Sequence, residues 1–329
     1  MPGSVTSVFS EPGDFEAALR EEGGLGLLIT GRGRFRARLT QITLDHLRIL
    51  AAEEHLARIA FFTVPADMVL IALPVGGGPA PIWGGIGMQA GEIITLGPDQ
   101  RLHARTDGPC RWGIIRWPAE ELTRYGRALL GAMPAIPPFA RRWRPAPAAK
   151  AHLRSFHAAA VRMAKVHPEI LIGREAAHGL EQQLIHALVD CLSAGPLDED
   201  VSADRHRDIL ARFEGVLEMQ PFLRVAEICA VLGVSVRVLR RCCEEQLGMT
   251  PSSYLGLCRM QQVHRALRSG ELEAAGVAEV ARRYGVRDLG RFTAGYRAFY
   301  GELPSATLRR GADRGVAELV LGRPRVKFS

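Results

Sequence analysis

Three arginines share one face of a predicted helix and carry the most legible chemistry in the chain. Arg237 and Arg241 are four residues apart, and Arg240 lies beside them, near the front of a helix predicted from Val236 to about Leu247. A guanidinium offers a planar fork of donors that fits a phosphate or the O6/N7 edge of guanine. Val238, Leu239, Cys242 and Cys243 form the inward pattern, which leaves Arg237, Arg240, Arg241 and Glu244 outward. A second set comprises Arg287, Gly290, Arg291, Thr293, Ala294 and Arg297. Its helix is predicted from about Asp288, a candidate N-cap, to Tyr300, with Phe292, Tyr296 and Phe299 inward. Gly290 and Ala294 bring no polar group, so this set suits phosphate contact and positioning more than base reading. Gly295, in the middle of the helix, costs about 1 kcal/mol relative to Ala. That cost points to a helix that firms up only on its target.

The elements that position these residues form a repeat. Val225-Ala226-Glu227-Ile228 recurs as Val277-Ala278-Glu279-Val280, and Gly233-Val234 recurs as Gly285-Val286, both at an offset of 52. One residue later in register, Gly248, Pro251 and Ser252 match Gly301, Pro304 and Ser305. Each copy reads as a short helix, a turn at Gly and a second helix, the helix-turn-helix plan. Ala226, Ile228, Cys229 and Leu232 give the first short helix its apolar stripe, and Ser235 sits where an N-cap belongs. Pro251–Leu267 reads as a connecting helix.

Charge follows the repeat. Residues 1–200 hold 21 basic and 21 acidic side chains, whereas residues 201–329 hold 21 basic and 14 acidic. The whole net charge of +7 therefore lies with the repeat, where it would attract a phosphate backbone. Nearly every basic residue is Arg, which fits a GC-rich coding bias but leaves the asymmetry unexplained.

The first half has a different texture. Short apolar or alternating runs at Leu25–Thr30, Phe35–Ile42, Leu47–Ala51, Ile59–Val64, Met68–Leu73, Glu92–Leu96 and Cys110–Trp117 are separated by Gly and Pro, including turns at 76–78 and 84–85. They predict a small β-sandwich or barrel. A leading helix is predicted over 8–22 and another over 119–130. Pro134–Pro147 reads as a connector, followed by amphipathic helices over 148–166 and 174–194, the latter ending at Gly195-Pro196. The apolar face of the helix 174–194 suits a partner helix or the chain's own barrel equally. Leu197–Ala203 reads as an acidic linker and Ile209 as the start of the last domain.

Other candidate groups read as structural. His46, His55 and His103 show no His-x-His pair and no matching Glu, so no metal site is predicted. The six cysteines (110, 191, 229, 242, 243 and 258) show no CxxC pair and read as reduced thiols of a cytoplasmic protein. Cys242 and Cys243 lie on the inward pattern and act as small apolar residues rather than a redox pair. Trp83, Trp112 and Trp117 are assigned to the core, with a pocket wall as the alternative. No apolar run reaches the roughly 18 residues of a membrane span, and Met1–Thr6 does not open a signal peptide.

The repeat segment resembles the DNA-binding domain of the AraC/XylS family of bacterial transcription regulators. The likeness runs over residues 207–310. It rests on Ala226-Glu227-Ile228-Cys229 with Gly233 and Ser235, Leu239, Gly248-Met249-Thr250-Pro251, Tyr254-Leu255, Arg259-Met260 and Arg265-Ala266-Leu267. It continues through Ala278-Glu279-Val280-Ala281, Tyr284-Gly285-Val286, Phe292, Tyr296, Phe299, Gly301, Pro304-Ser305 and Arg309. The resemblance implies two recognition helices in successive major grooves. Positions 237, 240 and 241, then 290, 293 and 294, would approach base edges. Arg282, Arg283, Arg291 and Arg297 would serve as phosphate contacts or surface charges. Cys243 stands where the family commonly has an aromatic residue.

Phe35-Arg36-Ala37-Arg38-Leu39 and Gly91-Glu92-Ile93-Ile94-Thr95-Leu96 are similar to the cupin-like regulatory domains of that family. The expected fold is α+β and multidomain. A cupin-like, effector-sensing domain spans 1–130, and a connector with a helical dimerisation segment spans 131–200. An all-α domain with two helix-turn-helix units spans 201–310, and a loosely ordered basic tail spans 311–329. The resemblance implies a non-enzymatic, cytoplasmic, homodimeric regulator with double-stranded DNA and a small-molecule effector as partners. RNA polymerase is a further partner, the effector-binding residues are unassigned, and no cofactor, metal or membrane is expected. Two alternatives remain. One is a cupin-type enzyme carried to DNA by the helical domain. The other is a DNA-repair methyl acceptor, disfavoured because no Pro-Cys-His-Arg segment occurs.

Overall fold

The computed structural model describes residues 2–76, 79–89, 91–131, 140–193, 197, 201–269 and 276–311, with residues 201–204 as backbone only. The predicted turn residues Gly77 and Gly78, the helix stop Gly195-Pro196, most of the linker before Val201, residues 134–139 of the connector and the tail from 312 lie outside these. The chain divides into two compact units. One is Met1–Ala211 with Cys242–Gly248, and the other is Arg212–Arg241 with Met249–Ser329.

The first unit is β-rich, as its punctuated apolar runs predict. In chain order its elements are β1 (Gly3–Phe9), α1 (Pro12–Arg20), β2 (Gly24–Ile29), β3 (Ala37–Thr43), β4 (Arg48–Glu54), β5 (Arg58–Thr63) and β6 (Met68–Pro74). They continue with β7 (Ile82–Trp83), β8 (Ile86–Gly87), β9 (Ile93–Leu96), β10 (Arg101–Thr106), β11 (Cys110–Pro118), α2 (Ala119–Leu130) and β12 (Arg141–Trp143). Two long helices close the unit, α3 (Pro147–Val166) and α4 (Arg174–Leu192), joined through a 3-10 turn at Pro168–Ile172. The strands make a seven-stranded sheet in the order β1-β3-β4-β11-β6-β9-β12 and a five-stranded sheet in the order β2-β5-β10-β7-β8.

The larger sheet is covered on both faces, which explains why β6 and β11 are buried almost end to end. Ile49, Val69, Ile71, Leu73, Ile115 and Trp117 pack with Leu153, Ala160, Leu184, Ile185 and Leu188 of α3 and α4. Their neighbours along the same strands, Leu50, Leu70, Trp112 and Ile114, line a cavity together with Leu27, Ala60, Phe62 and Trp83 of the smaller sheet. The period of two along each strand thus sorts residues between a helix layer and a cavity.

Several expectations change here. Residues 3–9 form a strand, not the start of a helix over 8–22. Val5, Thr6 and Val8 are β-branched, and β1 pairs with β3 from Gly3↔Thr43 to Phe9↔Ala37. The helix proper begins at Pro12, which suits a first helical position. β10 and β12 were hidden by their arginines; Trp143 of β12 is nonetheless fully buried, its indole donating to Thr95 Oγ1 at 2.8 Å. Of the two partners open to the apolar face of α4 (Ala177, Leu184, Ile185, Leu188 and Leu192), its own unit takes it, against the dimer contact that the resemblance favoured.

The helical elements follow. α5 (Val201–Met219) begins before the predicted Ile209, and Arg207 within it is buried. Arg207 donates to the Gly84 carbonyl at 3.0 Å. Then come α6 (Val225–Leu232), α7 (Val236–Leu247), α8 (Pro251–Ser269), α9 (Val277–Arg283) and α10 (Leu289–Tyr300). A last helix covers 304–311.

His157 on α3 is 1% exposed, and its Nε2 makes no hydrogen bond. It presses on β11 so closely that a Cβ at Gly113 would lie 2.6 Å from that nitrogen. Burial pushes its pKa down to about 4. The unfolded chain therefore takes up a proton that the folded chain refuses, and stability falls as pH drops from about 6.5 towards 4. The expected loss from this group between pH 7 and pH 5 is about 2 kcal/mol. Urea unfolding of His157→Leu at both values should show a pH dependence smaller by that amount.

Candidate nucleic-acid interface and effector cavity

α6 leads into α7 through Gly233, and α9 leads into α10 through Gly285, with φ of +68° and +75°. The matching glycines after the second helices, Gly248 and Gly301, have φ of +70° and +74°. Left-handed backbone at all four duplicated positions is why the repeat is built on Gly. Arg259 of α8 anchors the approach to α6, donating to the carbonyls of Pro221 at 3.3 Å and Leu223 at 2.9 Å. Tyr254 of α8 donates to Glu214 of α5 at 2.5 Å. α10 is clamped to α8 by aromatic contact. His264 stacks on Tyr300 at 3.9 Å with 6° between planes, and its Nδ1 lies 2.6 Å from Tyr296 Oη. Tyr296 is fully buried among Met260, Val263, Leu267, Val280 and Ala281.

On α7, Leu239, Cys242, Cys243 and Leu247 are buried, while Arg237, Arg240, Arg241 and Glu244 are exposed. On α10, Arg291, Ala294 and Arg297 are exposed, as are Arg287 and Gly290 beside the turn. Thr293 is half-buried, and its hydroxyl donates back to the Leu289 carbonyl at 2.8 Å. Ala226, expected in the apolar stripe of α6, is exposed, and Val225 is half-buried in its place.

The helix starts separate the two members of each repeat. α6 and α9 place a glutamate in the first turn, Glu227 and Glu279, as the helix dipole favours. Neither α7 nor α10 has an acid in the first turn, and each carries an arginine there instead, Arg237 and Arg291. A cation at that end opposes the dipole by about 0.3–1 kcal/mol, so the arrangement suits an external anion. The two ends still differ. Ser235, a neutral cap, accepts from the Val238 amide at 3.2 Å, whereas the Asp288 carboxylate accepts from the Arg291 amide at 2.9 Å. The start of α7 is thus the more anion-receptive of the two.

Sequence reasoning gave Arg259 no charge role. Partial burial and the neighbouring Arg287 charge together hold its guanidinium below the usual range, and its buried Nε makes no hydrogen bond. Two repelling cations beside the α9–α10 turn fit a phosphate. Periodicity alone, which puts Arg259 in a connecting helix, carries no sign of this.

Residues 228–310 match the model of a helix-turn-helix domain family. The chain is 38% identical over 87 residues to a probable thc operon regulatory protein of Rhodococcus erythropolis, covering 26% of each protein. It is 26% identical over 149 residues to a XylDLEGF operon transcriptional activator of Pseudomonas putida, covering 43% of this chain and 46% of that one. The carboxyl-terminal helices thus include a helix-turn-helix domain. The chain spans between a quarter and about half the length of these two relatives. Alignment to the crystal structure of the AraC-like transcriptional activator CuxR covers 86% of this chain and all of that one, at 16% identity and a TM-score of 0.42, too loose to establish a common overall fold.

The β-rich unit holds a cavity between its two sheets. Phe62, Trp83 and Trp112 form a wall of perpendicular aromatics, with centroids 5.7 and 6.4 Å apart. Trp83 and Trp112 are therefore both core and lining, whereas Trp117 packs towards the helices against Tyr125. Two ion pairs border the space, Arg58–Glu54 and Arg116–Glu22. Trp83 Nε1 and Arg116 Nε are buried donors with no hydrogen-bond partner. Of the three barrel histidines, His103 stacks on Phe61 at 4.8 Å, His55 contacts the Arg36 carbonyl at 3.2 Å, and His46 lies 3.5 Å from Glu181. Burial pushes the Cys110 and Cys191 thiols up to about 12, which leaves them inert. No helix among the described residues is long and apolar enough to cross a membrane.

Gly295 is exposed, and a Cβ there would meet nothing within 4 Å. Gly295→Ala should therefore stabilise the helix-turn-helix domain by up to about 1 kcal/mol, read as a higher melting temperature of the full chain.

Proposed function

We propose that the chain is a sequence-specific DNA-binding transcription regulator, cytoplasmic and non-enzymatic, whose β-rich unit senses a small effector. The observation that carries this reading is the start of α7, where a neutral cap, no acid and Arg237 together form an end built for an anion. Arg237 contacts phosphate, while Arg240 and Arg241 read base edges. On the second unit, Arg287, Arg291 and Arg297 hold phosphates, and Gly290, Thr293 and Ala294 approach the groove closely with little polar readout. The chain acts as a homodimer and works with RNA polymerase at promoters.

The cavity favours an effector with an apolar body and an acceptor group. Its walls are aromatic and aliphatic, and Trp83 Nε1 and Arg116 Nε are donors in need of an acceptor. An effector that binds better when the chain is DNA-competent raises DNA affinity by linkage, and DNA raises effector affinity equally.

Selection of genomic fragments by the purified protein, followed by mobility shifts at several salt concentrations, tests the reading. Arg237→Ala should weaken binding evenly across sequences and lower the salt slope by about 1. Arg241→Ala should cost about 1–3 kcal/mol on the selected site and relax preference at one or two base pairs. Retention of full sequence preference in Arg240→Ala and Arg241→Ala alike would reject the base-reading role.

A further inference from the structure

The β-rich unit carries a second cluster, made of residues that do not line the aromatic cavity. His178 and Glu181 are three residues apart on α4 and so share a face. Opposite them is the turn between β3 and β4, which holds Asp45 and His46. Glu181 is fully buried and plays two parts with its two oxygens. Oε1 accepts from the backbone amides of His46 at 2.6 Å and Leu47 at 2.8 Å. Oε2 is shielded from solvent and accepts no hydrogen bond. Its closest charged neighbour is His46 Nδ1 at 3.5 Å, and on the outer side His178 Nδ1 lies 3.9 Å from Asp45 Oδ2. One ligand atom each from Asp45, His178 and Glu181 falls within 4.8 Å of the other two.

We propose that Asp45, His178 and Glu181 bind a first-row divalent transition-metal ion, with zinc as the type case. Tetrahedral bonds of about 2.0–2.2 Å put neighbouring ligand atoms about 3.3–3.6 Å apart. The three ligand atoms lie within 4.8 Å of one another, and the remaining closure of about 1 Å falls to Asp45 and His178, whose exposed side chains are able to turn. Glu181 is the fixed ligand, held in place by the two amides it accepts. A buried carboxylate oxygen without a partner is costly, and a cation is the partner that answers it. Mixed imidazole and carboxylate donors select zinc, cobalt or nickel over calcium or magnesium. The bound ion ties α4 to the β3–β4 turn and stabilises the folded chain in proportion to its occupancy.

The test uses the tag-free full-length protein after treatment with a chelator. Zinc should raise its melting temperature, and cobalt(II) should develop the visible absorption of a tetrahedral site at one equivalent. His178→Ala leaves the Glu181 hydrogen bonds untouched, so its metal-free melting temperature should match the parent. Its cobalt affinity should nonetheless fall by about tenfold or more. His178→Cys should regain binding and add a thiolate-to-cobalt charge-transfer band. If neither metal binds the parent protein, His46 and His178 are only ion-pair partners of the two carboxylates and the proposal is wrong. Binding undiminished in both His178→Ala and Asp45→Asn would overturn it equally, by locating the metal elsewhere.

Discussion

The β-rich unit depends on one buried ion pair. Glu54 ends β4 in the larger sheet and Arg58 begins β5 in the smaller one, so their contact closes the step by which the chain changes sheets. The pair is bidentate, with Nε and Nη2 both 2.9 Å from the carboxylate. Arg58 Nη1 donates to the Ala104 carbonyl at 2.6 Å, and Trp112 Nε1 donates to Glu54. Burial works against the guanidinium charge, but Glu54 outweighs it and holds the group above its usual range. Either charge alone would cost about 3–5 kcal/mol in that setting. With every fork position engaged, the pair sets the gap between the sheets, and that gap is the cavity.

The helical domain obeys a different constraint. Its four duplicated glycines set the turn geometry twice over, and its two pairs of helices then diverge in charge. The first helix of each pair satisfies its own dipole with a glutamate; the second carries an arginine in its first turn instead. A fold optimised only for stability would treat both alike. On the proposed function, a phosphate at the start of α7 would offset the cost of the arginine there, and the Asp288 cap would lower the gain at α10. The second helices of the two pairs are thus unequal, in keeping with the lack of a polar side chain at Gly290 and Ala294.

Much of this was legible in the chain before any coordinates. The repeat, its glycines, the Ser235 and Asp288 caps and the arginine face of α7 are local features, written in spacings of three, four and fifty-two residues. Local rules recover them because helix periodicity and capping depend on near neighbours. The sequence also determined that the first half is β-rich, through short apolar runs cut by Gly and Pro.

Tertiary structure alone decided what depends on distant partners. The strands β1, β10 and β12 become visible only when their neighbours complete them: β1 and β12 are edge strands, and β10, though central, is broken up by Arg101, His103 and Arg105. The apolar face of α4 has the same sequence whether it meets a second subunit or its own sheet, and only packing chose the sheet. The pairing of Glu54 with Trp112 and of Glu181 with the β3–β4 turn crosses 58 and 134 residues. Side-chain chemistry at such separations is fixed by how strands and helices stack, and no spacing along the chain encodes it.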